Sequence, residues 1–293
     1  MMKTLRPLAV IVLALFSGIA FGQINTPQPS PAGSVSSVVG LTDVKIDYFR
    51  PKVKGRKIFG EGTDYLQPYG VLWRTGANSG SVLTLSTDAK IAGTDVKAGS
   101  YLIFTVPGKD SWDFMLYSDI KLGGNTAGYD KSKEVLRASV KPTKLTSNVE
   151  NLTFNISDIS DDNTTANIEM AWADVSVKVP MVVNFHDQVM KDIAAKTQVN
   201  PANYSAAANY YLGAGVNLEK ALEYMNIYLT IPGNDAQFWQ VHTKAKIQAA
   251  LGMKKEAIET AKASMEKAKA NEGGDFGYVK RNEDLIAEIN KKK

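Results

Sequence analysis

The chain of 293 residues contains no cysteine and only two histidines. Without cysteine there is no disulfide, no thiol nucleophile and no thiolate-held metal, so stability must come from buried apolar surface. The histidines are His186 and His242, and none precedes residue 186. A Ser-His-Asp triad or a histidine-bound metal in the first 185 residues would therefore have to borrow its histidine from the second half. Charge of one sign is also scarce. Residues 23–185 carry 17 basic and 17 acidic side chains, and residues 186–293 carry 15 and 13. That balance leaves no footprint for nucleic acid or anionic lipid. After the first 22 residues no apolar run approaches the roughly 18 residues of a membrane span, so stable membrane insertion of the mature chain is not expected. Gly55-Arg56-Lys57 lacks the full spacing of a phosphate-binding loop, and no cofactor or metal is implied.

The start of the chain has a distinct pattern. Lys3 and Arg6 precede the apolar run Leu8 to Phe16, and Ala20-Phe21-Gly22 places small residues where a signal peptidase cuts. Residues 1–22 read as a secretory signal peptide cleaved after Gly22, which sends the protein to the periplasm or beyond. The run is too short to span a membrane, and no cysteine follows it to carry a lipid.

Residues 23–33 (QINTPQPSPAG) are polar and proline-rich and read as an extended tether. From 34 to 182 the hydrophobic period is two. Strands are expected around Val44, Ile46 and Tyr48, and at 81–86, 99–107, 111–117, 149–156, 165–172 and 174–182, with a short helix near Lys131 to Leu136. Many short strands separated by Gly, Asn, Asp and Pro predict a mainly β domain, an antiparallel sandwich or barrel-like fold. From 183 to 293 the period becomes helical, and helices are expected at 183–196, 202–214, 217–231, 236–251, 254–270 and 279–291. Within this all-α region, Tyr210-Tyr211-Leu212-Gly213 with Gly215 and Glu219-Lys220-Ala221-Leu222 is echoed by Ala249-Ala250-Leu251-Gly252 and Glu256-Ala257-Ile258. The echo resembles a tetratricopeptide array, whose aromatic-lined face would dock a protein or peptide partner.

One segment concentrates unusual chemistry: Val71-Leu72-Trp73-Arg74-Thr75-Gly76-Ala77-Asn78. Together with Tyr48-Phe49-Arg50-Pro51, Val53-Lys54-Gly55-Arg56-Lys57-Ile58-Phe59-Gly60, Pro68-Tyr69-Gly70, Ala98-Gly99-Ser100-Tyr101, Val106-Pro107-Gly108-Lys109-Asp110-Ser111-Trp112, Trp172 and Pro180, it resembles the secreted bacterial family called domain of unknown function 2911. The resemblance covers roughly residues 34–182. It implies a fold and an exported location and supplies no catalytic assignment. After Trp112 the family tends to have an asparagine closing the strand and a tryptophan in the loop; here Tyr117-Ser118-Asp119 and Gly123-Gly124-Asn125 stand instead.

Arg50, Arg56, Trp73, Arg74 and Asn78 form the candidate ligand site. Guanidinium groups grip carboxylate or phosphate in bidentate fashion, an indole offers a stacking face, and an amide both donates and accepts. Such a set suits a small anionic molecule or a glycan. The competing reading makes Trp73 a core residue and pairs Arg74 with a sheet carboxylate such as Asp47, since alternation places neighbours on opposite faces. Residues 52–68 are either a binding loop or a plug over the sandwich end, and Asp158, Asp161, Asp162 and Asn163 suit a hairpin turn better than a calcium loop. Two functions remain: a non-enzymatic binding protein, or an extracytoplasmic hydrolase working with carboxylates such as Asp47, Glu61 or Asp64 in place of His or Cys.

Overall fold

The structure, a computed structural model, describes residues 26–197, 200, 202–231 and 237–291. The signal-peptide reading of 1–22 and the gap between the helices expected at 217–231 and 236–251 lie outside them. The chain divides after Val183 into two compact units.

The first unit contains β1 (Ala32–Val39), β2 (Thr42–Phe49), β3 (Phe59–Gly60), β4 (Gln67–Pro68), β5 (Ser81–Leu85), β6 (Ala89–Ile91), β7 (Thr94–Val96), β8 (Gly99–Val106), β9 (Trp112–Tyr117), β10 (Glu134–Val140), β11 (Pro142–Ser157) and β12 (Thr165–Val183). They form a six-stranded sheet in the order β1-β2-β5-β8-β9-β10 and a four-stranded sheet in the order β11-β12-β6-β7. Both are antiparallel throughout. Alternation builds the core: Val44, Ile46 and Tyr48 of β2 turn inward while Lys45 and Asp47 face solvent.

Four rings meet between the sheets. Phe59 lies edge-on to Trp73, Trp112 and Trp172 at 5.7, 4.8 and 5.9 Å, and Trp73 stacks on Trp172 at 5.7 Å. The three indoles are almost wholly buried. Such rings bury the largest area per residue, and edge-on contacts add to it.

Several elements differ from the sequence expectation. Strand β1 begins at Ala32, inside the stretch read as tether. The expected strands 165–172 and 174–182 are one strand, bent where Ala173 adopts φ +53° and the register against β11 shifts. The helix expected near Lys131 to Leu136 is one 3₁₀ turn, Lys131–Lys133, after which β10 begins. Strands β6 and β7 were not anticipated, because their hairpin turns on Ala92-Gly93, both at positive φ, where Asn-Gly would have been the recognisable signal.

The second unit contains α1 (His186–Lys196), α2 (Ala202–Ala214), α3 (Leu218–Leu229), α4 (Phe238–Ala250), α5 (Lys254–Lys269) and α6 (Tyr278–Lys291). Gly215 and Gly252 end α2 and α4 in the left-handed conformation. Ala208, Ala221, Ala245, Ala257 and Ala261 are fully buried, and their small side chains let the paired helices approach closely. No helix among the described residues is long and apolar enough to cross a membrane.

A polar chain ties the last three helices together. Asn282 of α6 donates to Ser264 Oγ of α5 (3.0 Å), which donates to the Phe238 carbonyl of α4 (2.7 Å). Because the Asn282 amide nitrogen is spent on Ser264 and the Tyr278 carbonyl, its oxygen is left to accept from His242 Nδ1 of α4 (2.8 Å). Burial pushes the His242 pKa below its ordinary 6.5, with Lys246 and Arg281 adding to the effect and the Asn282 bond opposing it. The folded unit thus binds fewer protons than the unfolded chain below pH 6.5, so this contribution is complete above that pH and fades as pH falls through the lowered value. Melting of the helical signal is expected to drop between about pH 7.5 and about pH 5. His242→Gln, which can still donate to Asn282, should flatten that drop; an unchanged slope would refute the assignment.

Candidate functional site

The segment Trp73 to Ser81 is a closed excursion from the large sheet. Trp73 and Thr105 of β8 exchange both backbone bonds (2.8 and 2.9 Å), and the chain rejoins the sheet at Ser81, opposite Ile103. Within the excursion, the Trp73 indole donates to the Gly76 carbonyl (3.2 Å) and Ser81 Oγ to the Thr75 carbonyl (2.6 Å). Thr75 is buried at φ +50°, an uncommon conformation for a β-branched residue, and its hydroxyl is held by Thr105 Oγ1 at 3.0 Å. Several independent bonds therefore sustain a strained backbone at this point.

Alternation across that strand decides the fate of neighbouring residues. Trp73 points into the core, so it presents no stacking face to a ligand. Arg74 points the other way. The outer face of the large sheet carries its own apolar cluster of Leu102, Phe104, Met115 and Tyr117, packed against Leu72, Leu122 and Tyr129. Leu122 and Tyr129 belong to the loop 118–133, which folds over the sheet in three 3₁₀ turns. Asp119, Asn125 and Asp130 cap those turns by accepting from the backbone two residues on.

Arg74 lies against this cover. Its Nη1 donates to the Gly124 carbonyl (3.3 Å), while its Nε is buried with no hydrogen-bond partner among the described residues. No carboxylate lies within ion-pair distance of it among those residues. Asp47, the partner expected for it, bridges Lys45 instead (2.9 Å). A buried donor left unspent beside an uncompensated cation is an uncommon arrangement in a folded protein.

The other candidates separate. Asn78, at φ +56°, donates to Gln28 Oε1 and the Ser30 carbonyl (both 3.3 Å), fastening the chain that leads into β1. Arg50 donates to the Leu152 carbonyl and Thr153 Oγ1 of β11 and clips the two sheets together. Arg56 folds back on the carbonyls of Lys52 and Val53. The Lys54 amide, next to Gly55-Arg56-Lys57, donates to Glu150 Oε1 (3.0 Å). Within 52–68, Ile58 is buried and Phe59 enters the aromatic core, so this part of the loop plugs the sandwich.

The expected hydrolase carboxylates are likewise dispersed. Glu61 and Asp64 are exposed. The most enclosed acid near the cover is Glu134, which Arg137 grips with Nε and Nη2 (2.9 and 2.7 Å) while Tyr129 donates to it (3.0 Å). The Arg137 bond holds the Glu134 carboxyl below its usual pKa, the opposite of what a general acid needs. Burial and then the Glu134 bond raise the Tyr129 phenol above its usual 10. Asp158 and Asp162 serve the β11–β12 hairpin: Asp158 bridges Lys178, and Asp162 accepts from Ser160 and Thr164. Among the described residues no group of three or more His, Asp or Glu side chains could hold a metal.

Residues 30–181 match the family described as protein of unknown function (DUF2911). The chain belongs to this family. No curated protein and no solved structure matches it. In this DUF2911 member, the residues that carry the resemblance include scaffold (Phe59, Trp73, Trp112, Trp172) and, beside Trp73, the half-buried cation Arg74 on the opposite face. Sequence reasoning missed the cover and the Tyr129–Glu134–Arg137 chain. The signal available was the recurrence of turn-capping residues, Asp119, Asn125 and Asp130, five to six residues apart.

A Cβ on Gly124 would stand 2.5 Å from both Arg74 Cδ and the Asn78 carbonyl oxygen. Gly124→Ala is expected to lower stability by about 1–3 kcal/mol, measured by denaturant unfolding, because backbone must yield. An unaltered midpoint would show that the cover does not rest on Arg74 as described.

Proposed function

We propose that the protein is an exported, non-enzymatic binding protein. Its β unit contacts a small anionic or glycan ligand through Arg74, and its helical region, a tetratricopeptide-like module, docks a protein or peptide partner. The observation that carries this reading is the state of Arg74: a half-buried guanidinium with an unspent Nε donor and no carboxylate partner among the described residues. A carboxylate, phosphate or sulfate at the unburied part of the guanidinium would supply the missing counter-charge, and the buried Nε, which lies against Gly124, would be reached only if the 118–133 cover moved aside. The strained, multiply bonded excursion fixes where the side chain emerges, which is what a binding contact requires. Export rests on the N-terminal pattern of Lys3, Arg6, Leu8 to Phe16 and Gly22. The hydrolase alternative gains no support among the described residues, where the most enclosed carboxyl near the cover, Glu134, is held below its usual pKa by Arg137.

The test is a thermal-shift screen of the parent, Arg74→Lys and Arg74→Ala against carboxylates, phosphates and glycans. A ligand at a hundred times its dissociation constant adds about 2.7 kcal/mol, a shift of several degrees for a protein of this size. The expected outcome is a ligand that stabilises the parent and is lost in Arg74→Lys, whose ammonium cannot reproduce the planar fork. A screen silent for the parent, with Arg74→Ala melting early, would make Arg74 part of the scaffold.

A further inference from the structure

The α4–α6 face presents aromatic surface and unpaired positive charge side by side. Trp239 is 40% exposed and Phe276 is 67% exposed, and both rings pack on the buried Phe238 (4.9 and 6.3 Å). Phe276 also sits at φ +46°, a conformation costly for an aromatic residue, in the turn that leads into α6. Its backbone strain and its exposed ring go together: the fold does not use this phenyl as core.

On α4, Trp239, Thr243 and Lys246 fall four and three residues apart and so share one stripe. Thr243 reaches across to Asn209 of α2 (3.3 Å), and His242 beside it reaches to Asn282 of α6 (2.8 Å), which places the stripe between those two helices. Arg281 of α6 lies over the Tyr278 ring at 4.7 Å, and that ring meets His242 at 5.3 Å. Lys246 and Arg281 both stand close enough to His242 to push its pKa down. Neither has a carboxylate within ion-pair distance among the described residues. Of the nearby acids, Asp275 caps the start of α6 and Asp284 bridges Lys280, while the exposed Glu283 makes no ion pair with Arg281.

The geometry points to a docking site for an acidic peptide segment, with an apolar or aromatic side chain against Trp239 and Phe276 and a carboxylate between Lys246 and Arg281. This deepens the reading of the helical region as a docking module and rests on it. From Trp239 to Lys246 the helix rises about 10 Å, seven residues at roughly 1.5 Å each. An extended chain advances about 3.3 Å per residue, so the ring and the carboxylate of the occupant stand about three residues apart. Charge complementarity selects an acid here, because two cations with no counter-ion repel a basic segment and attract an acidic one.

The test uses the full chain and a fluorescent octapeptide with one phenylalanine and, three and four residues after it, two aspartates in a Gly/Ser background. Control peptides carry asparagine or lysine for aspartate, or serine for phenylalanine. The aspartate peptide should bind most tightly and lose affinity with added salt, and each control should bind about tenfold weaker or less. Lys246→Glu with Arg281→Glu should reverse the preference toward the lysine peptide. Phe276→Gly relieves the backbone, so it should melt no lower than the parent yet bind the aspartate peptide several-fold more weakly. Equal binding of the aspartate and lysine peptides, an unchanged preference after charge reversal, or Trp239-dependent capture of neutral glycans in place of the peptide would overturn the proposal. Should these fail while an Arg74-dependent ligand still shifts the melting point, the wider binding function stands and only this docking site falls.

Discussion

Four aromatic rings brought from four separate segments form the contact on which the β unit depends. Phe59 arrives from the plug over the sandwich end, Trp73 from the excursion before β5, Trp112 from β9 and Trp172 from β12. Three of the four segments are irregular or strained near the ring: Phe59 lies in a two-residue strand, Trp73 two residues before Thr75 at φ +50°, and Trp172 next to Ala173 at φ +53°; the shared burial offsets that cost. The two-residue β3–β4 pairing could not hold the plug alone; Phe59, inserted among three indoles, does. The same ring network fixes the excursion, because Trp73 is bonded through its backbone to Thr105 and through its indole to Gly76.

Anchoring Trp73 inward obliges Arg74 to emerge on the opposite face, where the 118–133 cover meets it. Core and candidate contact are thus adjacent in sequence and separated by the thickness of a strand. The arrangement resolves the two readings of the Trp-Arg pair without choosing one for both residues. Trp73 is scaffold, and Arg74 is the residue whose bonding is incomplete. The remaining candidates are held by partners of their own, Arg50 by β11, Arg56 by the carbonyls of Lys52 and Val53, and Asn78 by the non-strand segment that leads into β1.

Much of this was legible in the sequence because period and punctuation are local signals. The change of period near Pro180, the six helices and the inward face of β2 follow from spacing alone. The Trp73/Arg74 division also follows, from alternation. What stayed hidden depends on pairing or on bonds between distant residues. Strands β6 and β7 are too short to show a period, and their turn uses Ala92 where a small polar residue would have announced it. The 118–133 cover has no period, and it acquires its position from Tyr129 on Tyr117 and Arg74 on Gly124, contacts that no spacing encodes. Ala173 was visible as a break and not as a bend, since a break in period looks the same whether the chain ends a strand or bulges within it.

The helical unit reaches stability by other means, with buried alanines at the helix crossings and one polar chain through Ser264 and Asn282. In the β unit Trp73 is a supporting core residue, and Arg74 is the residue proposed to bind. The direct measurement is nuclear magnetic resonance of the Arg74 Nε–Hε and Trp73 indole N–H signals while succinate, inorganic phosphate and neutral glycans are titrated into the protein. A saturable shift of the Arg74 signal is expected with at least one of them, while the Trp73 indole, bonded to Gly76, stays in place. A Trp73 signal that moves with the ligand, or an Arg74 signal that responds to none of them, would contradict that division of roles.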